Sequence, residues 1–282
     1  MTDGPWSHQR RSGVADDIDF EIKGEELQFL EIELDPGESA VAEAGAMVWK
    51  DAAVEMTTVF GDGSAGGQDG GFMGKLLGAG KRLVTGESLF TTVFTHQGRG
   101  KARVAFASPT PGAILPIKLS DVGGTLICQK DSFLAAARGV QIGVFFQRRI
   151  LTGLFGGEGF VMQRLDGDGW VFAQMGGTVV ERRLAPGEEL HVDTGCLAAM
   201  TPDVDFDLVG AGGVRSALFG GEGLFFARLR GPANGSGRVW IQSLPFSRLA
   251  GRMLAAAGSR GGQNRGEGSV LGGLGDFISG ND

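Results

Sequence analysis

A short glycine–glutamate step recurs three times along the chain, each time at the entry to a run of apolar residues. Its copies are Gly86-Glu87-Ser88-Leu89-Phe90, Gly157-Glu158-Gly159-Phe160-Val161 and Gly221-Glu222-Gly223-Leu224-Phe225. A second motif recurs in phase with it, as Leu34-Asp35-Pro36-Gly37-Glu38 and Leu184-Ala185-Pro186-Gly187-Glu188, with a degenerate copy from Leu119 to Thr125. Self-similarity of this kind indicates one structural unit used several times. The sequence therefore predicts three repeats, over approximately 16–106, 107–174 and 175–243.

The residues between these motifs are typical of short β-strands. Glycine is the compositional outlier, with 51 residues against 9 prolines, and it separates apolar runs where turns and bulges need positive φ or close backbone approach. Strand-like runs lie at Phe20–Lys23, Leu27–Leu34, Ala40–Lys50 and Ala53–Phe60. We therefore expect an all-β, mainly antiparallel protein built from triplicated β-sandwich or double-stranded β-helix-like units.

In each repeat, two strand-like runs flank a turn segment and together read as a hairpin. The strongest signal is Asp166-Gly167-Asp168-Gly169, between Val161–Leu165 and Trp170–Gln174, because Asp-Gly is a preferred hairpin turn. The same reasoning predicts hairpins from 89–95 with 101–106, and from 224–229 with 238–242.

The two ends of the chain differ from this β-rich middle. Residues 1–15 form a polar tail, the β domain occupies 16–257, and a short helix is predicted over 245–257, with Leu249, Met253 and Leu254 as its apolar face. The Gly-rich tail 258–282 contains an amphipathic stretch at 270–278. We interpret this tail as disordered, with docking to a partner protein or peripheral contact with a membrane as the alternative.

Charge and cysteine usage restrict the compartment and the partners. The formal net charge is −7, which argues against DNA and disfavours RNA as a bulk ligand. Cys128 and Cys196 lie at different places in their repeats and suggest no disulfide framework. Because the N-terminus lacks a basic and then apolar leader, and no apolar run is long enough to span a bilayer, we expect a cytoplasmic protein.

None of the motifs that resemble reactive or cofactor sites is complete. The spacing Gly61-x-Gly63-x-x-Gly66 matches the dinucleotide fingerprint, but no helix or parallel βαβ unit follows it. The histidines, His8, His96 and His191, do not have the short spacing that a cupin-like metal site needs. The sequence thus favours a protein that is not an enzyme and has neither cofactor nor metal.

The repeated acidic residues Glu87, Glu158 and Glu222 are each preceded by cations, among them Arg82, Arg149 and Arg215. We interpret these six residues as ion pairs that join repeats or subunits, since charges at interfaces set register and partner choice. The alternative is three equivalent anion or ligand sites.

A second set of recurring residues suggests a weaker alternative. Arg164 and Arg228 occupy one repeat position and, with Trp170, could line a groove that contacts single-stranded RNA. Solvent-facing positions on alternating strands explain the arginines more simply.

The Leu-x-Pro-Gly-Glu step, the run Glu43-Ala44-Gly45-Ala46-Met47-Val48, the Gly-rich stretch before Leu76-Leu77 and the repeated Gly-Glu entry occur together and in order. Over about residues 18–256, the chain resembles the family named for altered inheritance of mitochondria. The resemblance implies three pseudo-repeats with a fold like that of the trp RNA-binding attenuation protein, and ring-like homo-oligomers, with a trimer as the expected form. It assigns no activity to the bacterial members.

Repeats and resemblance together lead to one hypothesis, a non-enzymatic homo-oligomeric scaffold or interaction protein of unassigned cellular role. A module that binds RNA or a small ligand in clefts between repeats or subunits is the alternative.

Overall fold

In its described residues the chain folds into a series of short antiparallel strands followed by one α-helix. The structure is a computed structural model, and it describes residues 14–43, 45–60, 90–148, 160–210 and 225–258. The strands of the first repeat are β1 (Asp19–Lys23), β2 (Phe29–Leu34), β3 (Ser39–Glu43), β4 (Met47–Lys50), β5 (Val54–Phe60), β6 (Phe90–His96) and β7 (Ala102–Ala107). Those of the second are β8 (Gly112–Lys118), β9 (Thr125–Gln129), β10 (Phe133–Ala137), β11 (Gln141–Arg148), β12 (Phe160–Asp166) and β13 (Trp170–Gly176). Those of the third are β14 (Val179–Leu184), β15 (Glu189–Asp193), β16 (Leu197–Met200), β17 (Asp205–Gly210), β18 (Phe225–Arg230) and β19 (Gly237–Gln242), before helix α1 (Phe246–Gly258).

These strands form four sheets, and all the pairings between them are antiparallel. Sheet I has the order β1-β2-β7-β4 and sheet II the order β5-β6-β3-β10-β13-β8. Sheet III has the order β11-β12-β9-β16-β19-β14, and sheet IV the order β15-β18-β17. The expected all-β, mainly antiparallel class with a short C-terminal helix is confirmed.

The three predicted hairpins are wrong. Strand β12 pairs with β11 and β9, whereas β13 pairs with β10 and β8, so the turn Asp166–Gly169 carries the chain from sheet III to sheet II. Its side chains bond to other segments: Thr125 Oγ1 donates to Asp166 Oδ1 at 2.6 Å, and the Ala15 N–H donates to Asp168 Oδ1 at 2.9 Å. Strands β6 and β7, and likewise β18 and β19, also lie in different sheets.

The predicted single strand Ala40–Lys50 is also divided between two sheets. It becomes β3 in sheet II and β4 in sheet I. Gly45 between them has φ +91°, a conformation that glycine adopts without a steric penalty. The chain can therefore change sheets within a few residues.

The sheets stack in the order I, II, III, IV, with an apolar core between each pair of neighbours. On β3, Ala40 and Ala42 belong to the core between sheets I and II, whereas Val41 belongs to the core between sheets II and III. On β9, Leu126 faces that second core and Ile127 the core between sheets III and IV. Since apolar burial dominates stabilisation, sheets II and III, covered on both faces, form the interior of the molecule.

Neighbouring repeats are joined where a strand of one pairs with a strand of the next. Repeat 1 joins repeat 2 through β3 and β10, and repeat 2 joins repeat 3 through β9 and β16. The equivalent strands β15 of repeat 3 and β4 of repeat 1 do not pair with each other: each is an edge strand. We call the two pairings seam 1–2 and seam 2–3.

Helix α1 confirms the predicted C-terminal helix, but its apolar face does not pack as expected. Met253 is 62% exposed and Leu254 68% exposed. The first turn of the helix is closed by the Leu249 N–H, which donates to the Pro245 carbonyl. The start of the helix contacts the third repeat through the Arg248 guanidinium, which lies 3.6 Å from Asp193. Among the described residues, no helix is long and apolar enough to cross a membrane.

Candidate functional site

Two buried glutamines occupy the same position in successive repeats. Phe106, Ala173 and Ile241 pair with Met47, Phe133 and Leu197, and in each case a bulge follows in the partner strand. The next residues along the chain, Ala107, Gln174 and Gln242, are therefore equivalent. By the same register Glu43, Gln129 and Asp193, each the last residue of its strand, are equivalent to one another.

At seam 2–3 the glutamine side chain has partners for both of its polar atoms. Gln242 Nε2 donates to Gln129 Oε1 at 3.3 Å and to the Gly195 carbonyl at 3.0 Å. Its Oε1 accepts from the Gly176 N–H at 2.8 Å. This arrangement follows the rule that buried polar groups are hydrogen-bonded.

At seam 1–2 the same arrangement is incomplete. Gln174 Nε2 donates to the Asp131 carbonyl at 3.0 Å and lies 3.5 Å from Glu43 Oε2. Gln174 Oε1, however, is buried without a hydrogen-bond partner among the described residues. The residue equivalent to Gly176 is Pro109, and proline has no N–H to donate. One sequence difference thus accounts for the unpaired oxygen.

A cavity of about 160 Å³ is lined by residues of seam 1–2, with Gln174 among them. Its lining includes Glu43, Gln129, Asp131, Gln174, Gln242 and Phe246, so both seams and the start of α1 contribute to it. Burial, followed by the negative charge of Asp131, raises the pKa of Glu43 to about 7, against the opposing effect of Lys130. The site therefore combines a carboxyl group that titrates near neutral pH with an amide oxygen that lacks a donor.

The third equivalent position shows how a carboxylate there is neutralised. Asp193 accepts from the Gly195 N–H at 2.9 Å and lies 3.6 Å from the Arg248 guanidinium of α1. The residue of repeat 1 that is equivalent to Gln174 and Gln242 is Ala107, which has no polar side chain to offer such a carboxylate. Of the three equivalent positions, one has an amide pair, one an acid paired with a cation, and one Glu43.

Sequence reasoning did not single out these residues. A signal was present: glutamine follows the Gly-Glu step at 174 and at 242, and the two positions align once the turns between the strands are allowed to differ in length. Neutral polar side chains on otherwise apolar strands form no charge pattern or motif, so the sequence does not mark them as a site.

The predicted interface residues lie outside the part of the chain that the structure describes. They are Glu87, Glu158, Glu222, Arg82, Arg149 and Arg215, and their interpretation as ion pairs stays a prediction. The amphipathic stretch 270–278 and the Gly-rich segment Gly61–Gly71 also lie outside it.

The structure places the three predicted groove residues among separate partners. Arg164 Nε donates to Asp166 at 2.8 Å, and Arg228 pairs with Asp207 at 3.0 Å. The Trp170 ring packs edge-on against Phe20, with a centroid distance of 5.0 Å. The contacts of the described residues do not join the three, and both guanidinium groups already have a carboxylate partner.

The described histidines and cysteines have structural surroundings. His96 is buried, and its two ring nitrogens contact the Gly100 carbonyl and the Gly98 N–H within one turn. His191 lies 3.0 Å from Glu189 on the exposed side of β15. Burial raises the pKa of the Cys128 thiol to about 12, so this buried cysteine is unreactive.

The order of strands and motifs matches a known family. The model of the family described as mitochondrial biogenesis AIM24 matches residues 20–244. The chain belongs to the AIM24 family. The predicted resemblance is confirmed.

Relatives of this AIM24 protein occur in streptococci. It is 31% identical over 232 residues to an uncharacterised protein of Streptococcus pyogenes serotype M6, a match that covers 80% of this chain and 86% of the relative. It is also similar to the crystal structure of a Streptococcus pyogenes protein, with a TM-score of 0.66 and 26% identity over 85% of this chain and 99% of that one. The fold of this chain is thus similar to that of a streptococcal protein.

Proposed function

We propose that this AIM24 protein is a non-enzymatic cytoplasmic scaffold subunit that assembles head to tail with copies of itself. The observation that carries the proposal is that β4 and β15 each lie at the edge of a sheet, with no further strand paired to them in the part of the chain that the structure describes. Their equivalents, β10 with β3 and β16 with β9, pair within the chain. Each copy therefore presents the two halves of a third seam at opposite ends of the sheet stack.

The internal seams supply the register that the intermolecular seam would have. Ala135 pairs with Ala42 in seam 1–2, and Ala199 with Cys128 in seam 2–3. The equivalent residues place Trp49 of one copy opposite Val192 of a neighbouring copy, and Lys50 opposite His191. Sheets I and IV would then combine into a sheet with the same strand order as sheets II and III, with β1 as an additional strand at one edge.

The exposed side chains of the two edges suit this arrangement. Val48 is 56% exposed and Trp49 37% exposed, although the equivalent strands β10 and β16 are buried throughout. Exposed apolar edge strands are templates for pairing. In the proposed register Lys50 lies diagonally across from Glu189, an attractive cross-strand contact.

Head-to-tail contacts of this kind join two different surfaces of the molecule. Such heterologous interfaces generate a ring when the rotation between copies closes. The family resemblance makes a trimer the expected ring. The surroundings of His96, His191 and Cys128 support a structural role for them rather than a catalytic one.

The mass of the protein in solution tests the proposal. We expect light scattering after size exclusion to give a multiple of the 29.4 kDa chain mass, and Trp49→Glu to reduce it to one chain, because a carboxylate would be buried against Val192. Met56→Glu is the matched control, since Met56 is 53% exposed on β5, an edge strand of sheet II. A wild-type monomer, or a Trp49→Glu protein of wild-type mass, would contradict the proposal.

Charge reversal tests the register itself. Lys50→Glu places a carboxylate near Glu189 and is expected to weaken assembly about tenfold, equivalent to ~1.4 kcal/mol. Adding Glu189→Lys reverses both charges and is expected to restore it. If the double variant assembles no better than Lys50→Glu alone, the register is wrong.

A further inference from the structure

We propose that the cavity between Glu43 and Gln174 is a binding site for a small primary amine, held through its ammonium group. The proposal concerns the inside of one chain and is independent of assembly through β4 and β15. It follows from comparing seam 1–2 with seam 2–3, its internal counterpart.

Seam 1–2 has lost a donor and gained an acid relative to seam 2–3. Gln242 Oε1 receives the Gly176 N–H, whereas Gln174 Oε1, in a side chain that is only 5% exposed, receives none among the described residues. Glu43 replaces the neutral Gln129. An amide oxygen buried without a donor is destabilising, so a ligand that supplies N–H groups there gains affinity.

Charge favours a cation over a neutral donor. Glu43 and Asp131 both line the cavity, and a hydrogen bond to a charged group is about twice as strong as a neutral one. An ammonium group offers three donors and no acceptor. It can therefore contact Glu43 and Gln174 Oε1 at once.

The third repeat position provides a precedent within the same chain. The Asp193 carboxylate, equivalent to Glu43, lies 3.6 Å from the Arg248 guanidinium. A cation supplied by α1 thus occupies the surroundings of the acid in repeat 3. A ligand cation would do the same in repeat 1.

The volume of the cavity restricts the rest of the ligand. A cavity of about 150 Å³ accepts benzene, and this one measures about 160 Å³. Phe246, Pro245 and Pro109 give part of the lining an apolar character. The site therefore fits an amine with a short alkyl or single-ring body.

The protonation state of Glu43 makes binding dependent on pH. Asp131 and Lys130 are the charged groups that act on Glu43, with opposite effects, and burial raises its pKa to about 7. Below that pH the carboxyl group is neutral and loses its attraction for a cation. Affinity for an amine that stays protonated should consequently fall as the pH decreases from 8 to 6.

Benzylamine and benzyl alcohol form a matched pair of probes, because they have the same shape and differ in charge. Isothermal titration of the full-length protein at pH 8 is expected to show benzylamine binding at least tenfold more tightly than benzyl alcohol, with a weaker affinity at pH 6. Equal affinities for the two probes, or no binding of either, would overturn the proposal and leave only ordered water in the cavity.

Glu43→Gln tests the role of the acid without altering the shape of the site. Repeat 2 already has a glutamine at the equivalent position 129, bonded to Gln242, so the variant should fold. We expect benzylamine binding to weaken at least tenfold, while Glu55→Gln, on the exposed strand β5, leaves it unchanged. Wild-type affinity in Glu43→Gln would rule out the proposed site.

Discussion

Single residues distinguish the three equivalent positions around the seams. Gln129 and Gln242 form a closed hydrogen-bonded pair, while Asp193 lies beside Arg248. At seam 1–2 the backbone and packing are similar, but Pro109 supplies no N–H donor and Glu43 introduces a carboxyl group. The repeats thus preserve the strand frame while their buried polar residues have diverged.

Glu43 should make the stability of the protein depend on pH. Its pKa is about 7 in the folded chain and 4.5 ordinarily, so the folded state binds the proton more tightly than the unfolded state. The contribution is fully present below pH 4.5 and is lost as the pH rises through 7. We expect the free energy of unfolding in urea to fall by about 1–3 kcal/mol between pH 5.5 and 8 because of this residue.

The Glu43→Gln variant isolates that contribution. Since glutamine does not titrate, the variant should lose this part of the pH dependence, while Glu55→Gln should keep the wild-type slope. Parallel stability curves for wild type and Glu43→Gln would show that Glu43 titrates normally in the folded chain.

Strand positions could be predicted from the sequence, but strand partners could not. Period-two alternation and turn residues locate β1, β2 and β5 because they report local backbone geometry. They do not report which strand lies alongside, so the turn signal at Asp166–Gly169 does not distinguish a hairpin from a connection between two sheets. Central strands of sheets II and III such as β9 and β10 are buried on both faces, so alternation gives no information about the sheet to which each belongs.

The candidate site could not be predicted from the sequence, for a related physical reason. Gln174 and Gln242 are isolated polar residues on apolar strands, and their role depends on contacts 43 to 131 residues away in sequence. The missing N–H of Pro109 becomes apparent only by comparison with Gly176, whose N–H donates to Gln242. Such a difference becomes visible once the three-dimensional register aligns the repeats.

Gly176 should be sensitive to the smallest substitution, because the ends of two repeats meet at it. A Cβ atom there would lie 1.9 Å from the Leu244 carbonyl oxygen. In addition, the Gly176 N–H donates a hydrogen bond to Gln242 Oε1. We expect Gly176→Ala to destabilise the protein by about 1–3 kcal/mol through overpacking. Gly210→Ala, in β17 with open space around the new methyl group, is the control and should be near neutral in urea denaturation. Equal stability of the two variants would mean that the repeat ends can separate without a loss of folding stability.

At the scale of the whole molecule, the stack of four sheets is incomplete at both ends. Sheets II and III each have six strands drawn from two repeats, whereas sheets I and IV contain strands of one repeat each. Repeat proteins bury the faces of internal units against their neighbours, and the terminal units differ. Here the edges β4 and β15 are equivalent to strands that pair at seams 1–2 and 2–3, and for this reason we propose further copies of the chain as their neighbours.

Hydrogen exchange of the assembled protein distinguishes a completed third seam from two free edges. Amides of an exposed edge exchange rapidly, whereas those paired on both sides open only with larger unfolding events. We expect amides within Met47–Lys50 and Glu189–Asp193 to exchange as slowly as those of β3 and β10 in the wild type, and much faster in Trp49→Glu. Because β3 and β10 pair within one chain, their exchange should be the same in both proteins. Rapid exchange of β4 and β15 in an assembled wild-type protein would place the contact between copies on another surface.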